Sequence, residues 1–296
     1  MNETLKRSIS GAVYIILLIA SILYSTESFI LLFGAFLMIA AYEYCALVQL
    51  NKIIPLVFVF LFYSLIALLS YYRLGTEQFL SEYFGLNTRL DVDIQQLNLV
   101  LLLFTLFVSI KCIVFLFDDH VQSITQVSKY LYLLGYIVLP FIFITKISFG
   151  IKDYNPKIII GLFIIIWTND TFAYIVGKSI GKNKLFERIS PKKTIEGFIG
   201  GVVFAVFAGY LISKLYIRPN PGFSPKSIAI WTTIALLAGV FGTIGDLIES
   251  KFKRIAGVKD SGKIMPGHGG ILDRLDSVIF VAPIIFLFYQ ILNYVS

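Results

Sequence analysis

SIAIWTTIALLAGVFGTIGDL, residues 227–247, is an apolar run long enough to cross a hydrocarbon core of about 30 Å as a helix. It passes without a break into IESKFKRIAGVKDSGKIMPGHGGILDRLDS, residues 248–277, a stretch dense in acids, bases and glycines. A further apolar run follows, near 276–295. The apolar runs decide the fold. The charged chain between them raises the question of function.

Runs of the same kind recur along all 296 residues, of which 57% are hydrophobic and 15% charged. A soluble domain carries about 25% charged residues. Spans are read near 9–24, 29–47, 53–72, 97–117, 130–149, 157–176, 196–213, 227–247 and 276–295, nine in all. They are continuously apolar rather than alternating, which excludes a β-barrel and predicts an all-α, polytopic integral membrane protein. The first run follows Lys6 and Arg7 as a signal peptide would. No small-residue cleavage site follows cleanly and a second run begins almost at once, so the first is read as retained. Residues 1–150 are expected to form a helical scaffold and residues 151–296 the catalytic region. Cys45 and Cys112 lie in apolar segments and read as core, and His120 and His268 are too few for a histidine metal site.

Lys and Arg gather on the cytoplasmic side of a membrane protein. With nine spans, the N-terminus and the even-numbered turns carry sixteen basic residues against seven on the opposite side. This places the N-terminus and the loops at 177–195 and 248–275 in the cytoplasm. Those two loops hold twelve of the 25 basic residues. Contact with anionic lipid would explain basic loops alone. It does not explain acids, glycines and hydroxyls clustered among them.

The helix of residues 227–247 should continue past the bilayer surface, which puts Asp246, Glu249, Ser250 and Lys253 on one face. The acids could pair with Lys253 and Arg254 as a solvated knot, or bind a cation. SGKIMPGHGG, residues 261–270, turns tightly and exposes backbone N–H groups that can wrap phosphate oxygens, with Lys259 and Lys263 adding charge. His268, between glycines in this basic loop, is a candidate ligand contact, and Gly269 and Gly270 permit the turn. LDRLD then opens the last span, and Asp273 or Asp276 could simply cap it. A helical hairpin would nevertheless bring Asp246 and Asp273 together, and acids sharing a site need a cation or a proton. Hard oxygen donors without Cys or His point to Mg²⁺, completed by water and substrate phosphate.

WTNDTFAYIVGKSIGKNKLFERISPKKTIEG, residues 167–197, supplies matching parts. Asn169 and Asp170 interrupt an apolar span, which is costly without a partner and reads as a ligand-facing pair. Ser190-Pro191 is expected to open a helix as N-cap and first-turn proline, with Lys192, Lys193 and Thr194 on that first turn. Such a helix start is a phosphate site. Together the parts suit phosphoryl or nucleotidyl transfer, where positioning and charge neutralisation dominate.

At these residues the sequence resembles the phosphatidate cytidylyltransferases, or CDP-diacylglycerol synthases. Their signature appears at Ser250, Phe252, Lys253-Arg254, Lys259-Asp260, Gly262, Pro266, His268-Gly269-Gly270, Asp273-Arg274 and Asp276. Met265 stands where the pattern prefers another apolar residue, a mild packing change. NDTFAY and SPKKTIEG support the match, whereas residues 1–150 match only in general character. The resemblance implies transfer of CMP from CTP to phosphatidate, giving CDP-diacylglycerol and pyrophosphate. It further implies Mg²⁺ with a second cation such as K⁺, a homodimer in contact with membrane lipids, and no nucleic acid partner. A bacterial inner membrane with a cytoplasmic active site is the expected location. On this reading Asp246 and Asp273 ligate metal, with Asp276 and Asp170 completing the shell. Lys192, Lys193, Lys259, Lys263 and Arg274 hold phosphates, and Asn169, Ser190 and His268 orient substrate, with Thr194, Ser250, Lys253 and Arg254 beside them.

Rival readings fit less well. A secondary transporter would need charges near the midplane and inverted repeats, and a channel would need a ring of like residues. A CDP-alcohol phosphotransferase would need a D-G-x2-A-R helix pattern that is missing. The loop at 73–96 carries no legible motif.

Overall fold

A computed structural model describes residues 3–71, 94–118, 123–149, 154–216 and 225–295. Among the described residues, nine helices are long and apolar enough to cross a membrane, in agreement with the apolar runs. They are α1 (Glu3–Tyr24), α2 (Thr26–Leu47), α3 (Ile53–Tyr71), α4 (Ile94–Phe117), α5 (Gln126–Ile147), α6 (Pro156–Ile180), α7 (Ile195–Tyr216), α8 (Pro225–Ile255) and α9 (Leu272–Val295). The chain is an integral membrane protein. His120 and most of the unread 73–96 loop lie outside the described residues.

Between α6 and α7 the chain forms a short antiparallel hairpin, β1 (Lys184–Phe186) and β2 (Ser190–Thr194), with Lys184 opposite Thr194 and Phe186 opposite Ser190. The helix expected to start at Ser190 therefore starts at Ile195. Thr194 is the N-cap, in extended conformation, and its hydroxyl accepts the Gly197 N–H at 3.1 Å. Ser190, Lys192 and Lys193 lie on a strand rather than on a helical first turn. Two interactions hold the hairpin there. Glu196 accepts the Lys182 and Asn183 backbone N–H groups, at 3.1 and 3.2 Å. Arg254 Nε of α8 donates to Ile189 O at 3.2 Å.

Lipid supplies little hydrophobic drive for helix association, so close backbone packing at small residues has to provide it. α6 and α7 meet in this way: a Cβ on Gly197 would lie 2.6 Å from Ala173 O and 3.0 Å from Gly177 Cα. α8 and α9 nearly touch at Gly245, where a Cβ would lie 2.7 Å from Asp276 O. Gly197→Ala is expected to force α6 and α7 apart at a cost of about 1–3 kcal/mol. A lowered unfolding temperature in detergent is the measurement that checks it.

Both halves of the chain share one core. Phe33 of α2 packs on Phe141 of α5 and Phe163 of α6, with ring centroids 6.3 Å apart in each pair. At the end of α8 that carries the charges, Phe252 sits among Tyr44, Phe115, Tyr132 and Tyr136 from α2, α4 and α5. Beside it the buried Lys251 donates to the carbonyls of Phe115 and of Asp118, the latter at 2.6 Å, and so closes the C-terminal end of α4. Helices α2, α4 and α5 therefore grip α8 at the point where its polar segment begins.

Candidate active site

The ends of α6, α8 and α9 and the hairpin enclose a cavity of about 810 Å³. Asn169 and Asp170 of α6, Asp246 and Lys253 of α8, and Asp273 and Asp276 of α9 line it. From the hairpin come Lys184, Lys192, Lys193 and Thr194, and from the loop after α8 come Lys259 and Asp260. Arg254 and Arg274 also line it, so carboxylates and bases share the cavity. The two loops that the sequence placed on one side of the membrane do meet here.

The acids differ in how fully they are engaged. Asp246 pairs with Lys193 at 2.5 Å and accepts from Ser250 Oγ at 3.2 Å, one turn along the same helix face. Lys253 bridges the buried Glu249 and Asp273, contacting Asp273 Oδ1 at 2.7 Å. The other oxygen, Asp273 Oδ2, accepts the Gly270 N–H at 2.7 Å and the Ser261 N–H and hydroxyl, each at 2.8 Å. Asp273 thus reaches back to cap the start of α9 and ties the glycine-rich loop together. Asp276 lies one turn further on, and its Oδ1 accepts the Ser277 N–H at 2.6 Å. Asp170, Asp246, Asp273 and Asp276 all line the cavity.

Oxygen donors dominate this wall, which suits a hard cation. Among the described residues no three Asp, Glu, His or Cys side chains close into a preformed cage. The side-chain oxygen of Asn169 is buried without a hydrogen-bond donor, wedged 2.9 Å from where a Gly201 Cβ would sit.

Several expected residues do not line the cavity. His268 turns to α1, where its Nδ1 lies 2.8 Å from Ser10 Oγ. The Ser10 hydroxyl can donate to Pro266 O at 2.9 Å, which leaves the ring N–H to donate to Ser10. Burial, with the positive charges of Arg274 and Arg7, holds the His268 ring below the ordinary histidine pKa. Gly269 and Gly270 shape the loop: Gly269 has φ +85°, a left-handed backbone that glycine tolerates. Ser190 begins β2, Ser250 turns to Asp246, and Lys263 stands outside the lining. Conversely, Lys178 and Lys184 line the cavity without having been singled out, and Asp260, named only within the signature, lines it too. Their signal was their sequence position inside the two charged loops. Glu43 of α2 is a further omission. A lone acid in an apolar helix is itself a marker of function.

The comparisons agree with this architecture. A phosphatidate cytidylyltransferase of Staphylococcus saprophyticus is 47% identical over 125 residues, covering 42% of this chain and 45% of that protein. One from Staphylococcus epidermidis is 45% identical over 129 residues, covering 44% of this chain and 47% of the relative. The matched stretch thus spans less than half the length of these relatives. The model of the Cytidylyltransferase family, by contrast, matches residues 5–292, from the first helix to the last. The match covers nearly the whole chain, and the chain belongs to the cytidylyltransferase family.

Proposed function

We propose that the protein is a phosphatidate cytidylyltransferase, transferring CMP from CTP to phosphatidate with release of pyrophosphate. The observation that carries the reading is the single cavity in which carboxylates of α6, α8 and α9 face lysines of the hairpin and the loop. Two polyanions must meet for this reaction, so repulsion has to be cancelled before attack. Asp246 and Asp276 would hold Mg²⁺, with Asp170 beside them. The ion, when bound, neutralises phosphate charge and polarises the reacting phosphorus. Asp273, first expected in the ligand pair, accepts from four donor atoms of Lys253, Gly270 and Ser261 against two at Asp246, and on this reading it holds Lys253 and the loop in place.

The chain's own residues then do the positioning. Lys192, Lys193, Lys259 and Arg274 bind the triphosphate and the lipid phosphate. When substrate phosphate arrives, Lys193 can exchange its contact with Asp246 for one with phosphate. A phosphatidate oxygen attacks the α-phosphorus of CTP in line, and the bond to pyrophosphate breaks. Phosphatidate is already an anion at neutral pH, so no general base is required. The sixteen-to-seven excess of basic residues supports a cytoplasmic active site, and a homodimer belongs to the same proposal.

The test uses purified protein, phosphatidate and CTP labelled in its α-phosphate. Label is expected in the organic phase and is expected to vanish on chelation with EDTA. A transporter of either compound would leave the lipid phase unlabelled, and that outcome would overturn the assignment.

A further inference from the structure

Glu43 lies near the end of α2, far from the signature in sequence, and is only 3% exposed. Its oxygens accept the Ile271 N–H at 3.2 Å and the Leu272 N–H at 2.9 Å. These are donors that the start of α9 would otherwise leave unpaired. Glu43 also lies 3.2 Å from the Ser261 hydroxyl. That hydroxyl is 2.8 Å from Asp273 Oδ2, so its one proton is shared between two carboxylates. The loop is built around the group: a Cβ on Gly262 would lie 2.7 Å from Glu43 Cδ, and one on Gly270 would strike both carboxylate oxygens.

We propose that Glu43 is a positioning residue: supplied by the scaffold half, it fixes the first turn of α9 and holds Asp276 and Arg274 in register with Asp246. Every polar partner of Glu43 is a donor. A glutamine there would aim an NH₂ group at N–H groups, and an aspartate is one methylene too short to reach them. The catalytic consequence rests on the cytidylyltransferase reading above, whereas the structural consequence does not.

The experiment uses the full chain in detergent, as wild type, Glu43→Gln and Glu43→Asp. Hydrogen exchange without ligand is expected to be about tenfold faster in both variants for peptides covering 259–275, with α6 and α7 unchanged. Turnover with CTP and phosphatidate is expected to fall about tenfold or more, and the half-saturating Mg²⁺ concentration to rise several-fold. A merely structural role would reduce the amount of folded enzyme and leave the Mg²⁺ midpoint in place. Unchanged exchange across 259–275, or an unmoved midpoint in an active variant, overturns the proposal. If the wild type itself labels no lipid, the functional reading fails, and the exchange measurement alone decides whether Glu43 holds the loop.

Discussion

Asp246→Asn should lower turnover about a thousandfold while the protein remains folded, because a metal-bound carboxylate contributes several kcal/mol of charge stabilisation and each 1.36 kcal/mol is tenfold in rate. Asparagine keeps the shape of aspartate and can still accept from Ser250, but it brings no charge to the cation. Lys193 loses its counter-ion, yet both side chains of that pair are partly exposed, at 26% and 33%, so little stability should go with it. Asp273→Asn should behave differently. Its carboxylate is saturated by Lys253, Gly270 and Ser261, so losing the charge should loosen the loop as well as cut the rate. Turnover and thermal unfolding in detergent, measured on both variants, separate the two roles. Equal activity and equal melting in Asp246→Asn and wild type would remove Asp246 from the chemistry.

Lys253→Met is the second large effect, and it should appear first in stability. Lys253 is 9% exposed, and its partner Glu249 is fully buried with one oxygen lacking any donor. Removing one member of such a buried pair costs about 3–5 kcal/mol, since the other charge is left uncompensated. The double variant Lys253→Met/Glu249→Gln should recover part of that loss, because a neutral amide is cheaper to bury than a lone carboxylate. Activity should stay low in both, since Lys253 also faces the cavity. Melting curves for the single and double variants decide the matter. If they coincide, Glu249 does not answer to Lys253.

The architecture was legible because membrane helices announce themselves by length and apolarity. Nine apolar runs became nine spanning helices among the described residues, with ends shifted by a few positions. The spacing of Asp246, Ser250 and Lys253 also told correctly that α8 runs on past its apolar part, to Ile255. Other details needed three dimensions. Ser190-Pro191 carries a good local helix start, but Thr194 with Glu196 competes for the same role and strand pairing with Lys184–Phe186 settles it. Asp273 and Asp276 lie three apart on one helix, and nothing in their spacing tells which one the loop engages. The loop, with left-handed Gly257, Gly267 and Gly269, brings Ser261 and Gly270 onto Asp273, while both aspartates line the cavity. Glu43 stood alone in an apolar run, and its partners are 218 to 229 positions away.

Those separations bear on how the molecule is made. His268 rests on Ser10 across 258 positions, and the first turn of α9 hangs from Glu43 across 229. Ser10 and Glu43 are made long before their partners, so α1 and α2 wait in the bilayer with these docking groups unfilled until residues 268–272 follow. The loop acquires its shape only when these distant segments have joined.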